Sequence, residues 1–229
     1  MDPVLLVPPA VFARPVAADV ASPDPAALVR AALVALSRTP SFRTVTSSPS
    51  LDEVTVVEPR VHAEASTSHL VGPSGKGVLR VVVVGGSEFL EGNAAGLGDL
   101  LRLSNAPAGA VASAASMAGT WFLEPASAAD RVDRFDPSLA GIGHVFCTGP
   151  SCTLAGAEIT AEPPGEMVVD VPAFGGDLVL DPTAGFRPVA LVGTGARQGM
   201  VLRFAYPAGR PPAITTPTAF VPAPAALAS

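Results

Sequence analysis

Two glycine-rich segments have the residue types of a nucleotide-binding loop, but neither has the required spacing. In residues 72–77 (GPSGKG) only Pro73 and Ser74 separate the first glycine from Gly75-Lys76. A phosphate-binding loop needs four residues there, then Ser or Thr, then a helix. In residues 193–199 (GTGARQG) the third glycine comes one residue late for the dinucleotide-binding pattern, and a strand-like sequence follows. Both segments are therefore predicted to be hairpin turns.

The remaining reactive side chains are too scattered to form a catalytic or metal site. His62, His69 and His144 lie far apart, and no pair has the i, i+4 spacing of helical metal ligands. There is no Gly-x-Ser-x-Gly nucleophile elbow. Acidic residues are scattered at strand ends and turns, and no two carboxylates stand out as a glycosidase pair. The sequence predicts no catalytic residue, no metal ligand and no cofactor.

The two cysteines, Cys147 and Cys152, flank a Gly-Pro turn between two short strand-like segments. Opposed positions beside a tight hairpin can reach disulfide geometry, so a Cys147–Cys152 bridge is predicted; two free thiols are the alternative. Metal binding would need further His or Cys ligands nearby. A bridge would indicate an oxidising compartment.

Composition sets limits on what the protein binds. The chain has 229 residues, a net charge of −6 and a pI of about 5.0, so it lacks the basic stripe that nucleic-acid binding needs. Apolar residues make up 48%, charged residues only 15%, and the mean hydropathy is +0.44. Either part of the apolar surface serves a ligand or a neighbour, or the composition is merely biased. No uninterrupted apolar stretch is long enough to predict a transmembrane segment.

The positions of proline-rich segments and turn residues in the sequence predict one domain with two flanking segments. Residues 1–23 read as a Pro-rich arm, residues 24–220 as the domain, and residues 221–229 as a Pro/Ala-rich tail. An amphipathic helix is expected over 24–38, because Asp24 and Pro25 form an N-terminal signal. Further helices are expected within 107–117 and around 128–139. Strands are expected over 42–46, 53–58, 61–65, 78–84, 87–91, 145–153, 158–160, 166–171, 177–180, 188–192 and 198–206.

Several short motifs in a fixed order resemble a known family. They are FLEGN at 89–93, AGTWF at 118–122, RPVALVGTG at 187–195 and GMVLRFAYPAGRPPAITTP at 199–217. Their order resembles that of actinobacterial envelope lipoproteins of the LppX/LprG type, relatives of the LolA lipoprotein carrier. The resemblance implies an α+β fold, with a strongly curved antiparallel sheet, or half-barrel, of about ten or eleven strands and helices on its concave side.

The resemblance also implies a non-catalytic function outside the cytoplasm. The expected ligands are the acyl chains of a lipid or lipoglycan, with an envelope protein as a possible partner. The start of the chain departs from the family, because residues 1–20 make a poor signal peptide and contain no lipobox cysteine. A displaced start, a shortened chain and reuse of the fold elsewhere are the open explanations.

Side chains alternate between the two faces of a strand, and this alternation predicts which residues would line an acyl-chain cavity. In residues 201–206, for example, Leu202, Phe204 and Tyr206 lie on the face opposite Arg203. The alternative is a closed core in a structural or interaction subunit of an envelope or particle assembly. The predicted lining comprises Leu28, Ala32, Leu36, Leu79, Val81, Val83, Phe89, Trp121, Val169, Leu202, Phe204 and Tyr206.

Overall fold

The computed structural model describes residues 24–124, 158–162, 165–171, 175–195, 198–209, 213–224 and 227. The predicted arm at 1–23, the helix at 128–139, the strand at 145–153 and the Cys147–Cys152 bridge lie outside these residues. The described elements form an α+β fold with one large, open, curved and mostly antiparallel sheet, which confirms the predicted fold class.

The described part of the sheet has twelve strands in the order β12-β6-β5-β4-β3-β2-β1-β11-β10-β9-β8-β7. Neighbouring strands are antiparallel except β12, which runs parallel to β6. The strands are β1 (Phe42–Ser48), β2 (Leu51–Glu58), β3 (Ala63–Gly72), β4 (Gly75–Val84), β5 (Ser87–Gly92), β6 (Phe122–Glu124), β7 (Glu158–Glu162), β8 (Glu166–Val171), β9 (Gly176–Asp181), β10 (Arg187–Gly193), β11 (Val201–Ala205) and β12 (Val221–Pro222).

Helix α1 (Pro25–Arg38) forms where the sequence predicts it. The Asp24 side chain accepts a hydrogen bond from the backbone N–H of Ala26 at 3.2 Å, which caps the helix, and Pro25 occupies its first turn. The helix ends before Pro40, which cannot continue it. Its buried residues recur at helical spacing and pack on the sheet.

Helix α2 (Ala94–Leu103) was not predicted from the sequence. Gly96 and Gly98 lower its helix propensity, and this masks its apolar periodicity. The Asn93 side chain nevertheless caps it by accepting from the Gly96 N–H at 2.8 Å. The predicted Ala-rich helix within 107–117 is two short helices, α3 (Ala108–Ala112) and α4 (Ala114–Met117).

The turns agree with the predictions made from glycine positions. Residues 72–77 include the turn between the antiparallel strands β3 and β4, and residues 193–199 lie between the antiparallel strands β10 and β11, as expected of two hairpins. Gly85 and Gly86 turn β4 into β5 with φ of +60° and +79°, which favours glycine at both positions. Two strands were predicted to start too early: a 3-10 turn occupies Pro59–Val61, so β3 begins at Ala63 and not at 61, and β11 begins at Val201 and not at 198.

The helices α1 and α2 pack on the same face of the sheet. Cross-strand partners share a face, and the register runs from Leu202 to Thr46, then Glu53, Ser68 and Leu79. Leu202 belongs to the core beneath α1, and Leu79 packs against the core beneath α2. We call this side the helix-facing side.

Two separate apolar cores lie on the helix-facing side. Core 1 joins α1 to strands β1, β2 and β8–β11, with Phe42 at its centre at 0% exposure. Core 2 joins α2 and α4 to β5 and β6, and Leu227 near the C-terminus is buried in it. The chain end therefore contributes to the packing of the sheet, although the domain boundaries proposed at 23/24 and 220/221 remain a prediction.

Candidate functional site

Six of the predicted lining residues come together in core 1, and they are closely packed there. Leu36, Val169 and Leu202 are 0% exposed, so no water-sized space adjoins them. Phe42 is not in the predicted lining, but its ring packs in this core together with Val57. The region directly under α1 is thus a packed core in this structure. The six residues are Leu28, Ala32, Leu36, Val169, Leu202 and Phe204.

A second group of predicted lining residues lies on the same face but far along the sheet. Leu79 and Val81 are half-buried on β4 and pack against core 2. Val83 follows them on the same face, where its cross-strand partners are Glu64 and Glu88. Strand β3 lies between this group and β2, the nearest strand that contributes to core 1. The structure therefore does not bring the two groups into one lining.

Phe89 lies on the opposite side of the sheet, which corrects its predicted place beside Leu79 and Val81. Its cross-strand partner is Val82, whereas Leu90 pairs with Val81, so strand alternation puts Phe89 on the outer face. There its ring makes an edge-to-face contact with Phe220, with 5.0 Å between centroids. Trp121, also in the predicted lining, is half-buried just before β6.

A polar stripe divides core 1 from core 2 on the helix-facing side. Ser68 Oγ donates to the Glu53 carboxylate, and Thr55 Oγ1 lies 3.4 Å from Glu53 Oε1. Thr44 and Thr46 are 0% and 1% exposed, and within the described residues their hydroxyls have no hydrogen-bond partner. The sequence signals this stripe only weakly, as threonines and serines at alternate positions of β1–β3.

An open groove of about 1040 Å³ lies at one end of core 1, between the outer face of α1 and the segments around β10 and β11. Tyr206, a predicted lining residue, forms part of its wall. Most of the other wall residues are small and apolar, which leaves room for a ligand. They include Ala31, Val34, Ala35, Pro40, Pro207 and Ala208.

Two arginines, Arg38 and Arg187, also line the groove. The Arg187 guanidinium carbon lies 4.1 Å from the centroid of the Tyr206 ring, within cation–π range. Arg38 ends α1, and its carbonyl oxygen accepts a hydrogen bond from Arg60 Nη2 at 3.0 Å. Among the described residues, no carboxylate lies within ion-pair distance of Arg38 or Arg187. The groove therefore combines apolar walls with positive charge.

Tyr206 is held as a neutral, structural side chain. Its hydroxyl donates to the Pro188 carbonyl oxygen at 2.6 Å, and its ring packs 6.5 Å from that of Phe42. Burial raises the pKa of Tyr206 well above its ordinary value, against the opposing effect of the Arg187 charge. A phenol held in its protonated form is a poor general base. The groove has binding features rather than those of a proton-transfer site.

The described residues contain no group of three or more His, Cys, Asp or Glu side chains that could hold a metal ion. None of the described helices has the length and apolar character needed to cross a membrane.

Among the solved structures, this chain has a structural likeness to a lipoprotein. No family model matches the chain, and no curated protein matches it in sequence. The chain is similar to the crystal structure of LprF from Mycobacterium bovis, at 15% identity and a TM-score of 0.40, over 86% of this chain and 98% of that one. These values are too low for the likeness to assign a family or a function.

Proposed function

We propose that this protein is a non-catalytic lipid-binding protein of the cell envelope. It holds the acyl part of a lipid or lipoglycan in the groove between α1 and the ends of β10 and β11. The observation that carries the proposal is the groove itself, with about 1040 Å³ of open space and mainly small apolar walls. Burial of apolar ligand surface there would contribute about 0.8 kcal/mol per CH₂.

The groove is a better acyl site than the region under α1. Leu36, Phe42 and Leu202 are fully buried by protein atoms, so a ligand would have to displace close-packed side chains. The groove needs no such rearrangement, because Ala31 and Ala35 face it with short side chains. A location outside the cytoplasm, with an envelope protein as partner, is part of the same proposal. The predicted Cys147–Cys152 bridge and the LppX/LprG-like motif order favour it.

The same packed core favours a second candidate, a structural or interaction subunit with no lipid. Helix α1 covers the sheet so completely that core residues beneath it are 0% exposed. No ligand is therefore needed to complete this core. In that case the groove would hold no acyl chain.

The test is to purify the full chain, extract it with organic solvent, and examine the extract and the intact protein by mass spectrometry. In parallel, Ala35→Trp should fill the groove and weaken binding of a fluorescent fatty acid at least about tenfold, or ~1.4 kcal/mol. Because Ala35 borders open space, the melting temperature should change little.

The matched control is Ala27→Trp, an exposed position on the same helix that does not line the groove. It should bind the probe like the unmodified protein. A protein that carries no extractable lipid and shows no probe binding would exclude the carrier function and favour the structural subunit.

A further inference from the structure

We infer that the ligand of the groove is an anionic amphiphile, whose phosphate or carboxylate group is bound by Arg187 and Arg38. This inference rests on the proposed function and specifies its ligand class. It follows from the presence of these two arginines on the wall of a mainly apolar groove.

Arg187 is oriented before any ligand binds. Its guanidinium carbon lies 4.1 Å from the Tyr206 centroid, and the Tyr206 ring is itself fixed by its bond to the Pro188 carbonyl and by Phe42. Stacking on an aromatic face leaves the edge of the guanidinium plane free to donate hydrogen bonds. That edge matches the paired oxygens of a phosphate or carboxylate.

Arg38 adds a second positive charge at the same groove. It is exposed at the C-terminal end of α1, and Arg60 is held beside it through the Arg38 carbonyl. Part of the Arg38 charge offsets the negative end of the helix dipole. The described residues supply no carboxylate in ion-pair contact with Arg38 or Arg187. Asp181, the cross-strand partner of Arg187, offsets part of its charge: the pKa of Asp181 is lowered by the hydrogen bond from Thr183 and also by the Arg187 charge.

The charge of this groove contrasts with that of the whole chain. The protein carries −6 overall, which would repel an anionic ligand from most of its surface. A local cluster of arginines beside apolar walls therefore selects ligands that have one anionic group next to a hydrocarbon chain. A neutral or zwitterionic amphiphile of equal chain length would gain the apolar contacts but less from the arginines.

The experiment compares three probes by isothermal titration with the full-length protein. They are lysophosphatidylglycerol, lysophosphatidylcholine with the same acyl chain, and inorganic phosphate alone. Lysophosphatidylglycerol should bind at least about tenfold more tightly than lysophosphatidylcholine, and this advantage should shrink at high salt. The double variant Arg38→Gln/Arg187→Gln should lose the advantage.

Two further variants keep the test decisive. Arg187→Lys keeps the charge but loses the planar fork, so it should keep only part of the selectivity, and a melting curve will show that it is folded. Arg203→Gln removes an exposed arginine that does not line the groove, and it should behave like the unmodified protein.

Equal affinity for the two lysolipids would overturn the anionic selectivity and leave the lipid-binding function standing. Binding of neither lysolipid would overturn the proposed function. Inorganic phosphate bound as tightly as lysophosphatidylglycerol would show a free-anion site, and the amphiphile would then be the wrong ligand.

Discussion

Arg187 and Tyr206 form a cation–π pair, with the guanidinium carbon 4.1 Å from the ring centroid. The two residues come from different strand ends, since Arg187 begins β10 and Tyr206 directly follows β11. The Tyr206 hydroxyl donates to the carbonyl of Pro188, the neighbour of Arg187, at 2.6 Å. The Tyr206 ring is thus fixed, and the Arg187 guanidinium above it gives the groove a charged wall.

The first prediction concerns ionisation of Tyr206. Burial raises its pKa above the ordinary value of 10.0, so the folded state favours the protonated phenol. Below about pH 10 the phenol is protonated in both the folded and the unfolded chain, so its ionisation does not change the stability. Above it, the unfolded chain loses a proton that the folded chain keeps, so the free energy of unfolding falls as pH rises toward the folded pKa.

The chain has a single tyrosine, so tyrosinate absorbance reports on Tyr206 alone. The absorbance midpoint should lie above that of the urea-unfolded chain, and Arg187→Gln should move it higher, because a neighbouring positive charge is removed. An ordinary midpoint in the folded protein would show that the ring is not buried as described.

The second prediction concerns Gly96 in α2. Alanine normally stabilises a helix relative to glycine by up to ~1 kcal/mol. A Cβ at Gly96, however, would lie 2.5 Å from the Val78 carbonyl oxygen of β4. The helix would have to move off the sheet, so Gly96→Ala should lower the free energy of unfolding by ~1–3 kcal/mol in chemical denaturation.

Gly109 in α3 provides the control, because a Cβ there would meet no atom within 4 Å. Gly109→Ala should be neutral or slightly stabilising. Equal effects at the two positions would mean that α2 does not pack against β4 at this distance.

The third prediction concerns Asp99, whose side chain ties α2 to the β3–β4 hairpin. Its Oδ1 accepts from the Ser74 backbone N–H at 3.1 Å and from Arg102 Nη1 at 2.8 Å, and the residue is only 6% exposed. Asp99→Ala would leave the Ser74 N–H without this partner and should cost ~1–3 kcal/mol of stability. Asp99→Asn keeps an acceptor oxygen and should cost less, as thermal unfolding of both variants would reveal.

Local signals in the sequence predicted the elements that local chemistry controls. The Asp24-Pro25 signal located α1, and the Gly85-Gly86 pair located the β4–β5 turn. Helix α2 escaped prediction because Gly96 packs closely against Val78 of β4, and this tertiary requirement overrides helix propensity. The 3-10 turn at Pro59–Val61 was missed because the following strand continues the same apolar alternation.

The candidate site was predicted less completely than the fold. The alternation of side chains correctly placed Leu202 and Phe204 on one face, because this alternation is determined within a single strand. Phe89 was misplaced because the hydrophobic pattern of β5 places large apolar side chains on both faces, and Phe220, remote in sequence, covers one of them. The Arg187–Tyr206 pair needed knowledge of which strands are neighbours, and one sequence does not give that pairing.

The last prediction concerns the polar stripe between the two cores. Thr44 and Thr46 are essentially unexposed, and their hydroxyls have no partner among the described residues. Burial of an unpaired hydroxyl costs ~1–3 kcal/mol in protein mutational data. Replacement by valine keeps the branched shape suited to a strand and removes that cost. The double variant Thr44→Val/Thr46→Val should therefore raise the midpoint of urea unfolding.

Thr55 is the matched control, because it pairs with Thr44 across β1 and β2 and is also 0% exposed. Its hydroxyl differs in having a partner, the Glu53 carboxylate at 3.4 Å. Thr55→Val removes that contact near a charged acceptor, so it should lower stability. If Thr44→Val/Thr46→Val raises the stability and Thr55→Val lowers it, the unpaired hydroxyls of the stripe destabilise the protein. A large loss of stability in the Thr44/Thr46 variant would instead show that those hydroxyls are hydrogen-bonded in solution.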